Sequence, residues 1–210
     1  MTTIWGPLGW MTLHSVATCY PENPTPSEKE LMSSWLDMFR DTITCPHCRE
    51  HFTTMLAAYR ASFPGMLHSR QEFSLFTFRA HNAVNRRLRK PIQGTVGECM
   101  TTLQGNVKLR SAANYRTSYL DHITRYWKSW QDITGIVALK KIGEMRKIEA
   151  TYVQARDNNF NVTLDPDVVV LPKDALEKEV EQSFRGRGVI LPRGNTGQLR
   201  LTAGGFRIQR

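Results

Sequence analysis

Cys45-Pro46-His47-Cys48 is a Cys-x-x-Cys pair that lies between two segments rich in aromatic, imidazole and amide side chains. The upstream segment is Trp5-Gly6-x-x-x-Trp10-x-x-x-His14, and the downstream segment is His81-Asn82-x-Val84-Asn85-x-x-Leu88-x-Lys90-Pro91. Two cysteines separated by two residues can close a disulfide that opens and reforms during thiol–disulfide exchange. Since the flanking side chains recur at helical spacing, the three pieces together predict a redox disulfide beside a helical cofactor pocket.

The sequence on both sides of the pair predicts helices without strand-like alternation. The predicted helices cover residues 5–20, 27–43, 45–59 and 69–88. Capping boxes Ser27-x-x-Glu30 and Ser69-x-x-Glu72 open the second and fourth helices, and Pro46 suits the first position of the third. These patterns predict an all-α fold with a four-helix bundle at about residues 5–91.

The remaining sequence predicts one further bundle helix and a C-terminal extension of mixed or irregular structure. The glycine-containing segment 92–110 is predicted to be a loop, and residues 111–131 a fifth helix with several aromatic side chains. The extension, residues 132–210, is predicted to hold a helix at 137–156, an extended run at 168–172, a polar helix at 174–184 and an Arg/Gly-rich tail. The predicted domains are therefore 1–131 and 132–210, with a boundary somewhere in 132–160.

Composition excludes several classes of protein. The chain has 210 residues, 40% hydrophobic content and four cysteines, too few for a secreted disulfide scaffold. It has no apolar run long enough to cross a membrane, and its N-terminus lacks the pattern of a signal peptide. More than half of the net charge of +9 lies in the last 30 residues, with six arginines and one glutamate. That distribution disfavours nucleic-acid binding by the main domain.

The two cysteines of the pair are predicted to differ in role. Cys45 precedes a helix start, where unsatisfied amides and the helix dipole favour a thiolate. Cys48 lies one turn inside the helix and is expected to be more buried. This asymmetry suits exchange chemistry, in which the exposed sulfur meets an incoming thiolate and the buried sulfur passes electrons onward.

Three other interpretations of the pair remain at this point. Cys45, Cys48 and His51 have spacing that suits zinc, although a structural site needs four ligands and no second ligand pair follows. The tetrapeptide also resembles that of a thioredoxin-fold oxidant, but that fold requires a strand before the pair, where this sequence predicts a helix. Finally, the cysteines can be inert core residues.

The flanking polar residues also have a plain and a functional interpretation. Trp10 and His14, four residues apart, are compatible with an ordinary helix core. His81, Asn82 and Asn85 are harder to explain in that way, because burying an imidazole and two carboxamides without partners costs several kcal/mol. A flat ring with carbonyls and ring nitrogens would satisfy them, and a tryptophan would stack on it.

Taken in order, these motifs resemble the Erv/ALR family of FAD-linked sulfhydryl oxidases over roughly residues 4–91, including the Tyr20-Pro21-x-x-Pro24-Thr25-Pro26 loop. The resemblance implies a bundle that holds FAD, with Cys45 exchanging with protein dithiols and Cys48 facing the flavin. It implies electron transfer to O2 with release of H2O2, and commonly a homodimer. The implied cofactor-binding residues are Gly6, Trp10, His14, His81, Asn82, Val84, Asn85, Leu88 and Lys90. No metal is implied.

The departures from the family pattern bear on origin and on the cofactor site. Pro7 after Trp-Gly looks like members from large DNA viruses, which implies a host-cytoplasmic or virion location. Cys99 alone lies downstream of Lys90-Pro91, so the family's staple of the fifth helix is missing, and Trp127 or Trp130 is expected to replace the adenine-side tryptophan. No second Cys-x-x-Cys exists to act as a shuttle. Cys19 and Cys99 are expected to be lone thiols.

The extension lies outside the resemblance, and its function is predicted separately. An Arg/Gly-rich tail buries little apolar surface and is expected to order only on a partner, such as a capsid layer or packaged nucleic acid. A solvating tail is the alternative for this segment. For the whole chain, the alternative to a thiol oxidase is a structural virion or minor capsid protein built on an oxidase fold.

Overall fold

A computed structural model describes residues 2–163, 200–202 and 205–207 of the chain. Seven α-helices occur in these residues: α1 Thr2–Cys19, α2 Pro26–Thr42, α3 Pro46–Ser62, α4 Arg70–Arg87, α5 Val96–Leu109, α6 Ala112–Lys128 and α7 Ile133–Ile148. One π-helical turn, Glu149–Val153, follows α7. The short strands β1 Arg200–Thr202 and β2 Gly205–Arg207 pair antiparallel. The all-α prediction is confirmed.

Side-chain caps set the starts of the bundle helices. Ser69 caps α4 as predicted, and its Oγ accepts a hydrogen bond from the Glu72 amide at 3.1 Å. The capping box of α2 lies two residues earlier than predicted. Thr25 Oγ1 accepts from the Glu28 amide at 3.3 Å, and Glu28 Oε2 accepts from the Thr25 amide at 2.9 Å. Pro26 then takes the first helical position, where its missing N–H costs nothing.

The prediction of a loop at residues 92–110 is wrong, because most of this segment forms α5. A capping box between Thr95 and Glu98 starts the helix. Val96, Cys99, Met100 and Leu103 recur at helical spacing, are all buried, and form a second apolar cluster with Leu75 and Phe78 of α4. The glycines do not prevent the helix, because burial of this apolar face outweighs a propensity cost of about 1 kcal/mol per glycine.

The main core is shared by α1, α2, α3, α4, α6 and α7. Helix α1 lies against both α4 and α6. Leu13, Leu36, Phe73 and Tyr119 are completely buried in this core. Aromatic pairs join the helices, for example Phe39 of α2 with Tyr119 of α6 at a ring-centroid distance of 5.3 Å.

Helix α7 and the π-helical turn pack in the same core, although the sequence division placed them in the extension. Ala138, Ile142 and Met145 are buried there. Gly135 allows the close approach of α7 to the end of α6, since an added Cβ would lie 2.3 Å from the carbonyl oxygen of Trp130. Periodicity alone does not reveal such packing, because it depends on tertiary contacts.

The rest of the extension is described only in part. The predicted extended run at 168–172 and polar helix at 174–184 lie outside the described residues. Within the described part, no helix is long and apolar enough to cross a membrane. The described chain before residue 164 is tied to the bundle, since the Asn159 amide donates to the Thr18 carbonyl at 2.9 Å. The residues just before 164 therefore still contact helix α1 of the bundle.

Candidate active site

The Cys45–Cys48 pair forms a disulfide at the N-terminus of α3, with Cα atoms 5.2 Å apart. Cys45 is the N-cap of the helix, and its Sγ accepts from the Cys48 amide at 3.3 Å. Pro46 follows as the first helical residue, as predicted. Both cysteines are half-buried. The positive end of the α3 dipole and the free backbone amides of its first turn therefore stabilise a thiolate on Cys45 when the disulfide opens.

A cavity of about 470 Å³ lies behind the disulfide, between α1, α3, α4 and α5. Cys48 lines this cavity and Cys45 does not. Eight residues that the sequence predicted as cofactor contacts line it too: Gly6, Trp10, His14, His81, Val84, Asn85, Leu88 and Lys90. Cys48 is thus part of the cavity wall, whereas Cys45, the N-cap residue of α3, is not.

A ring stack and a histidine pair form one wall of the cavity. Trp10 stacks on His81 at a centroid distance of 4.3 Å and an interplanar angle of 10°. His14 Nε2 and His81 Nδ1 are hydrogen-bonded at 3.1 Å. The His14 side chain is buried, and its Nδ1 has no partner. Because buried polar atoms are nearly always paired, this nitrogen indicates that a polar ligand atom belongs in the cavity.

The two histidines are kept neutral by their surroundings. Burial, and then the neighbouring His81, lowers the pKa of His14 well below its ordinary value of 6.5. Burial, and then Lys90, lowers the pKa of His81 to about 4. A neutral imidazole has one N–H and one free acceptor nitrogen, so the pair offers a polar ligand both hydrogen-bonding roles without adding charge.

The free energy of unfolding of the ligand-free protein is expected to decrease as the pH is lowered from about 6.5 to 4. In this window the unfolded chain protonates both histidines while the folded chain does not, so acid favours unfolding. The expected loss is at most about 1.4 kcal/mol per pH unit for each histidine. Urea unfolding at a series of pH values measures it. A flatter slope is expected for the double variant His14→Asn/His81→Asn.

Asn82 and Trp127, also predicted as cofactor contacts, do not line the cavity. Asn82 Nδ2 donates to the Gln93 carbonyl at 2.9 Å, and Asn82 Oδ1 accepts from the Gln93 amide at 3.1 Å. This closed pair fixes the segment after α4. Trp127 is buried in the core, and its Nε1 donates to the Thr42 carbonyl at 2.9 Å. Trp127 therefore anchors α6 beside the segment that leads to Cys45.

Several cavity residues were missed by the sequence interpretation. Thr102, Leu103 and Asn106 of α5 line the cavity, together with Cys99. The sequence does not predict them, because the glycines of this segment favour a loop. The Thr95-x-x-Glu98 capping box is the pattern that indicates a helix start here. His51, considered only as a zinc ligand, also lines the cavity. Among the described residues no three His, Cys, Asp or Glu side chains gather as a metal site requires.

The other two cysteines are unsuited to exchange. Cys19 and Cys99 are free and buried. Burial raises the pKa of Cys19 to about 11 and that of Cys99 to about 12. Because the thiolate is the reactive form, thiol exchange is expected to occur at Cys45 and Cys48 and not at these thiols. Cys19, which does not line the cavity, is also a good control for the exchange pair.

The cavity has a cationic side that complements its apolar and aromatic walls. Arg87 and Lys90 line it at the end of α4, and both residues are exposed toward solvent. Cationic side chains at such a position suit an anionic group such as a phosphate. An aromatic stack, neutral imidazoles and nearby cations together fit a flat heterocycle that carries phosphate.

Comparison with known proteins gives consistent similarities. The profile of the Erv1 / Alr family matches residues 8–108. The FAD-linked sulfhydryl oxidase of African swine fever virus (isolate Tick/Malawi/Lil 20-1/1983) is 35% identical over 88 residues, which are 42% of this chain and 71% of the relative. The mitochondrial FAD-linked sulfhydryl oxidase ERV1 of Saccharomyces cerevisiae is 37% identical over 86 residues, 41% of this chain and 43% of the relative.

A third relative comes from Invertebrate iridescent virus 3 and is also named among the FAD-linked sulfhydryl oxidases. It is 33% identical over 88 residues, which are 42% of this chain and 58% of the relative. The chain therefore spans between 43% and 71% of the length of these three relatives. No solved structure matches the chain significantly.

Proposed function

The chain belongs to the Erv1 / Alr family, and on that premise we propose that it is an FAD-linked sulfhydryl oxidase that converts protein dithiols into disulfides. The observation that carries this proposal is the position of Cys48. It belongs to an accessible disulfide and at the same time lines the cavity that holds the predicted cofactor contacts. A thiol oxidase requires such a link between a substrate-facing sulfur and a cofactor.

The residues of the cavity fit FAD. The unpartnered Nδ1 of His14 calls for a polar ligand atom, and the Trp10–His81 stack supplies flat surfaces against which rings pack. Arg87 and Lys90 would meet the diphosphate. When bound, FAD would accept an electron pair and deliver it to O2, with H2O2 as the product.

The disulfide performs the exchange with the substrate. A substrate thiolate attacks Cys45 Sγ, the Cys45–Cys48 bond breaks, and Cys48 leaves as a thiolate. The second substrate thiolate then attacks the substrate sulfur of this mixed disulfide, and Cys45 leaves as a thiolate at the helix N-terminus. The substrate is now oxidised, and its electron pair resides on the Cys45/Cys48 dithiol. Cys48, the sulfur at the cavity, is the one from which the pair moves on.

The remaining predictions concern partners and place. Since the sequence has no second Cys-x-x-Cys, protein dithiols are expected to meet Cys45 directly or through the other subunit of a dimer. The homodimer, the capsid or virion partner of residues 132–210, and the host-cytoplasmic or virion location stay predictions. The alternative of a structural virion protein built on an oxidase fold is compatible with the same bundle and can coexist with oxidase activity; deletion of residues 160–210 would separate the two roles if it abolished particle incorporation and left dithiol oxidation intact.

Oxygen uptake tests the proposed function. The purified, flavin-loaded protein is expected to consume O2 when dithiothreitol is added, and catalase is expected to return half of the consumed O2, because H2O2 is the product. A chain that folds, keeps its disulfide, binds FAD and consumes no O2 with dithiothreitol would refute the oxidase proposal. A chain that consumes O2 without any response to catalase would refute the product.

A further inference from the structure

Four exposed apolar side chains form a face where α6 ends and α7 begins, which we name the α6–α7 patch. Trp130, Ile133, Ile136 and Val137 are exposed to 40%, 74%, 63% and 46%. The three α7 residues follow the i, i+3, i+4 spacing of a single helix face. Isolated exposed apolar residues are ordinary, but a contiguous group of large ones indicates a surface that binds something.

The patch is linked through Trp127 to the segment that carries the redox disulfide. Trp130 contacts Trp127 at a ring-centroid distance of 5.5 Å. Trp127 in turn donates to the Thr42 carbonyl and lies 5.5 Å from the Arg49 guanidinium carbon. Arg49 donates from its backbone amide to the Cys45 carbonyl at 2.9 Å. The aromatic cluster next to the patch therefore touches the chain on both sides of Cys45.

The direction of α7 places the patch at the same end of the bundle as Cys45. Lys141 pairs with Asp41 at 2.5 Å, and Tyr152 Oη contacts Glu28 at 3.1 Å. As residue numbers rise along α7 and its π-helical turn they fall along α2, so the two run antiparallel. At about 1.5 Å per residue, Ile133 and Val137 lie beyond the end of α2. The connection to Cys45 begins at that end.

The charges around the patch indicate what kind of partner it fits. Lys140 is exposed, four residues after Ile136 on the same face, and Lys128 is exposed two residues before Trp130. Of the neighbouring carboxylates, Asp41 pairs with Lys141, whereas Asp132 caps α7 by accepting from the Gly135 amide and keeps its negative charge. With two exposed lysines and one exposed aspartate that has no cationic partner among the described residues, the surroundings of the apolar patch carry a net positive charge, which complements aliphatic and acidic side chains.

We propose that the α6–α7 patch docks the substrate protein, by holding an extended segment with aliphatic and acidic side chains next to the dithiol that reacts at Cys45. This inference rests on the proposed oxidase function, because exchange requires a polypeptide segment to lie against Cys45. A segment of four or five extended residues, at about 3.3 Å per residue, spans about 15 Å. The patch is formed at the junction of α6 and α7, both of which lie beyond the part of the chain that matches the family, residues 8–108.

Turnover of two peptides tests the docking surface in the full-length, flavin-loaded protein. One peptide carries Cys-x-x-Cys flanked by Leu and Asp, and the other carries Cys-x-x-Cys flanked by Ser and Lys. The wild type is expected to show the lower KM for the first peptide. The variant Ile133→Ser/Ile136→Ser is expected to raise that KM about tenfold, with dithiothreitol turnover within about twofold of wild type. The matched control is Leu109→Ser, since Leu109 is 87% exposed at the end of α5.

A binding measurement separates this proposal from the oxidase function. The redox-inert variant Cys45→Ser/Cys48→Ser is titrated with the Leu/Asp peptide whose cysteines are replaced by serine, and fluorescence anisotropy is followed. Binding that weakens about tenfold in the Ile133→Ser/Ile136→Ser background supports docking even if the wild type consumes no O2.

Three results would overturn the docking proposal. The first is an equal KM for both peptides in the wild type. The second is an equal loss in the Leu109→Ser control. The third is sedimentation that shows Ile133→Ser/Ile136→Ser converting a dimer to a monomer without altering peptide turnover, since the patch would then belong to a second copy of the chain.

Discussion

Cys48→Ser is expected to lose dithiol-dependent O2 uptake by about 10³-fold or more while it keeps its fold and its bound FAD. Serine has nearly the shape of cysteine but cannot form a disulfide or pass on an electron pair. Cys48 is half-buried and lines the cavity. Because serine at this position cannot bond to Cys45, the substitution removes the link between the substrate-facing sulfur and the cavity. An oxygen electrode with dithiothreitol measures the loss, and the visible spectrum checks that FAD is retained.

The matched variants test the direction of electron flow. In Cys48→Ser, the remaining Cys45 thiol is expected to be trapped as a mixed disulfide with an oxidised thiol probe, visible by mass spectrometry, because it lies at the helix N-terminus. Cys45→Ser is expected to be equally inactive but to trap much less probe. Cys19→Ser is expected to retain turnover, because Cys19 does not line the cavity. Preferential trapping at Cys48 would reverse the assigned roles of the two sulfurs.

Glu149→Ala is expected to lower the free energy of unfolding by about 3–5 kcal/mol. Arg116 Nε donates to Glu149 Oε1 at 2.8 Å, and only 4% and 9% of the two side chains are exposed. Removal of the carboxylate leaves a buried guanidinium with a hydrogen bond to Ser15 Oγ at 3.3 Å in place of its ion pair. Urea unfolding followed by circular dichroism measures the change.

An exposed ion pair between the same two helical regions provides the control. Arg146 pairs with Asp121 at 2.7 Å, with 39% and 54% of the side chains exposed. Asp121→Ala is therefore expected to cost less than about 1 kcal/mol. A loss below 1 kcal/mol for Glu149→Ala would mean that α7 and the π-helical turn are not integral to the bundle, and that the sequence division at residue 131 describes the cooperative unit better.

The bundle and most of the cavity were predictable from sequence because local spacing determines them. Trp10 and His14 lie four residues apart on α1, as His81 and Asn85 do on α4, so each pair necessarily shares a helix face. Pro46 after Cys45 likewise fixes where α3 begins. In the bundle α1 lies against α4, and the faces that carry these two pairs line the same cavity.

What sequence did not predict depends on tertiary contacts or on outweighed local signals. The glycines of 92–110 suggested a loop, but burial of Val96, Cys99 and Leu103 made the segment helical. The amide of Asn82 was expected in the cavity, yet a backbone partner eleven residues away, Gln93, satisfies it first. Trp127 likewise finds its hydrogen-bond partner on α2, 85 residues distant. No local pattern encodes such partners.

The visible absorption spectrum of the purified protein, before and after anaerobic addition of dithiothreitol, tests the central claim most directly. We expect a yellow protein with about one FAD per chain, whose flavin absorption bleaches with dithiothreitol in the wild type and persists in Cys48→Ser. A folded protein that remains colourless after incubation with excess FAD, or a bound flavin that dithiothreitol bleaches equally in Cys48→Ser, would contradict the proposed path from Cys45 through Cys48 to the cofactor.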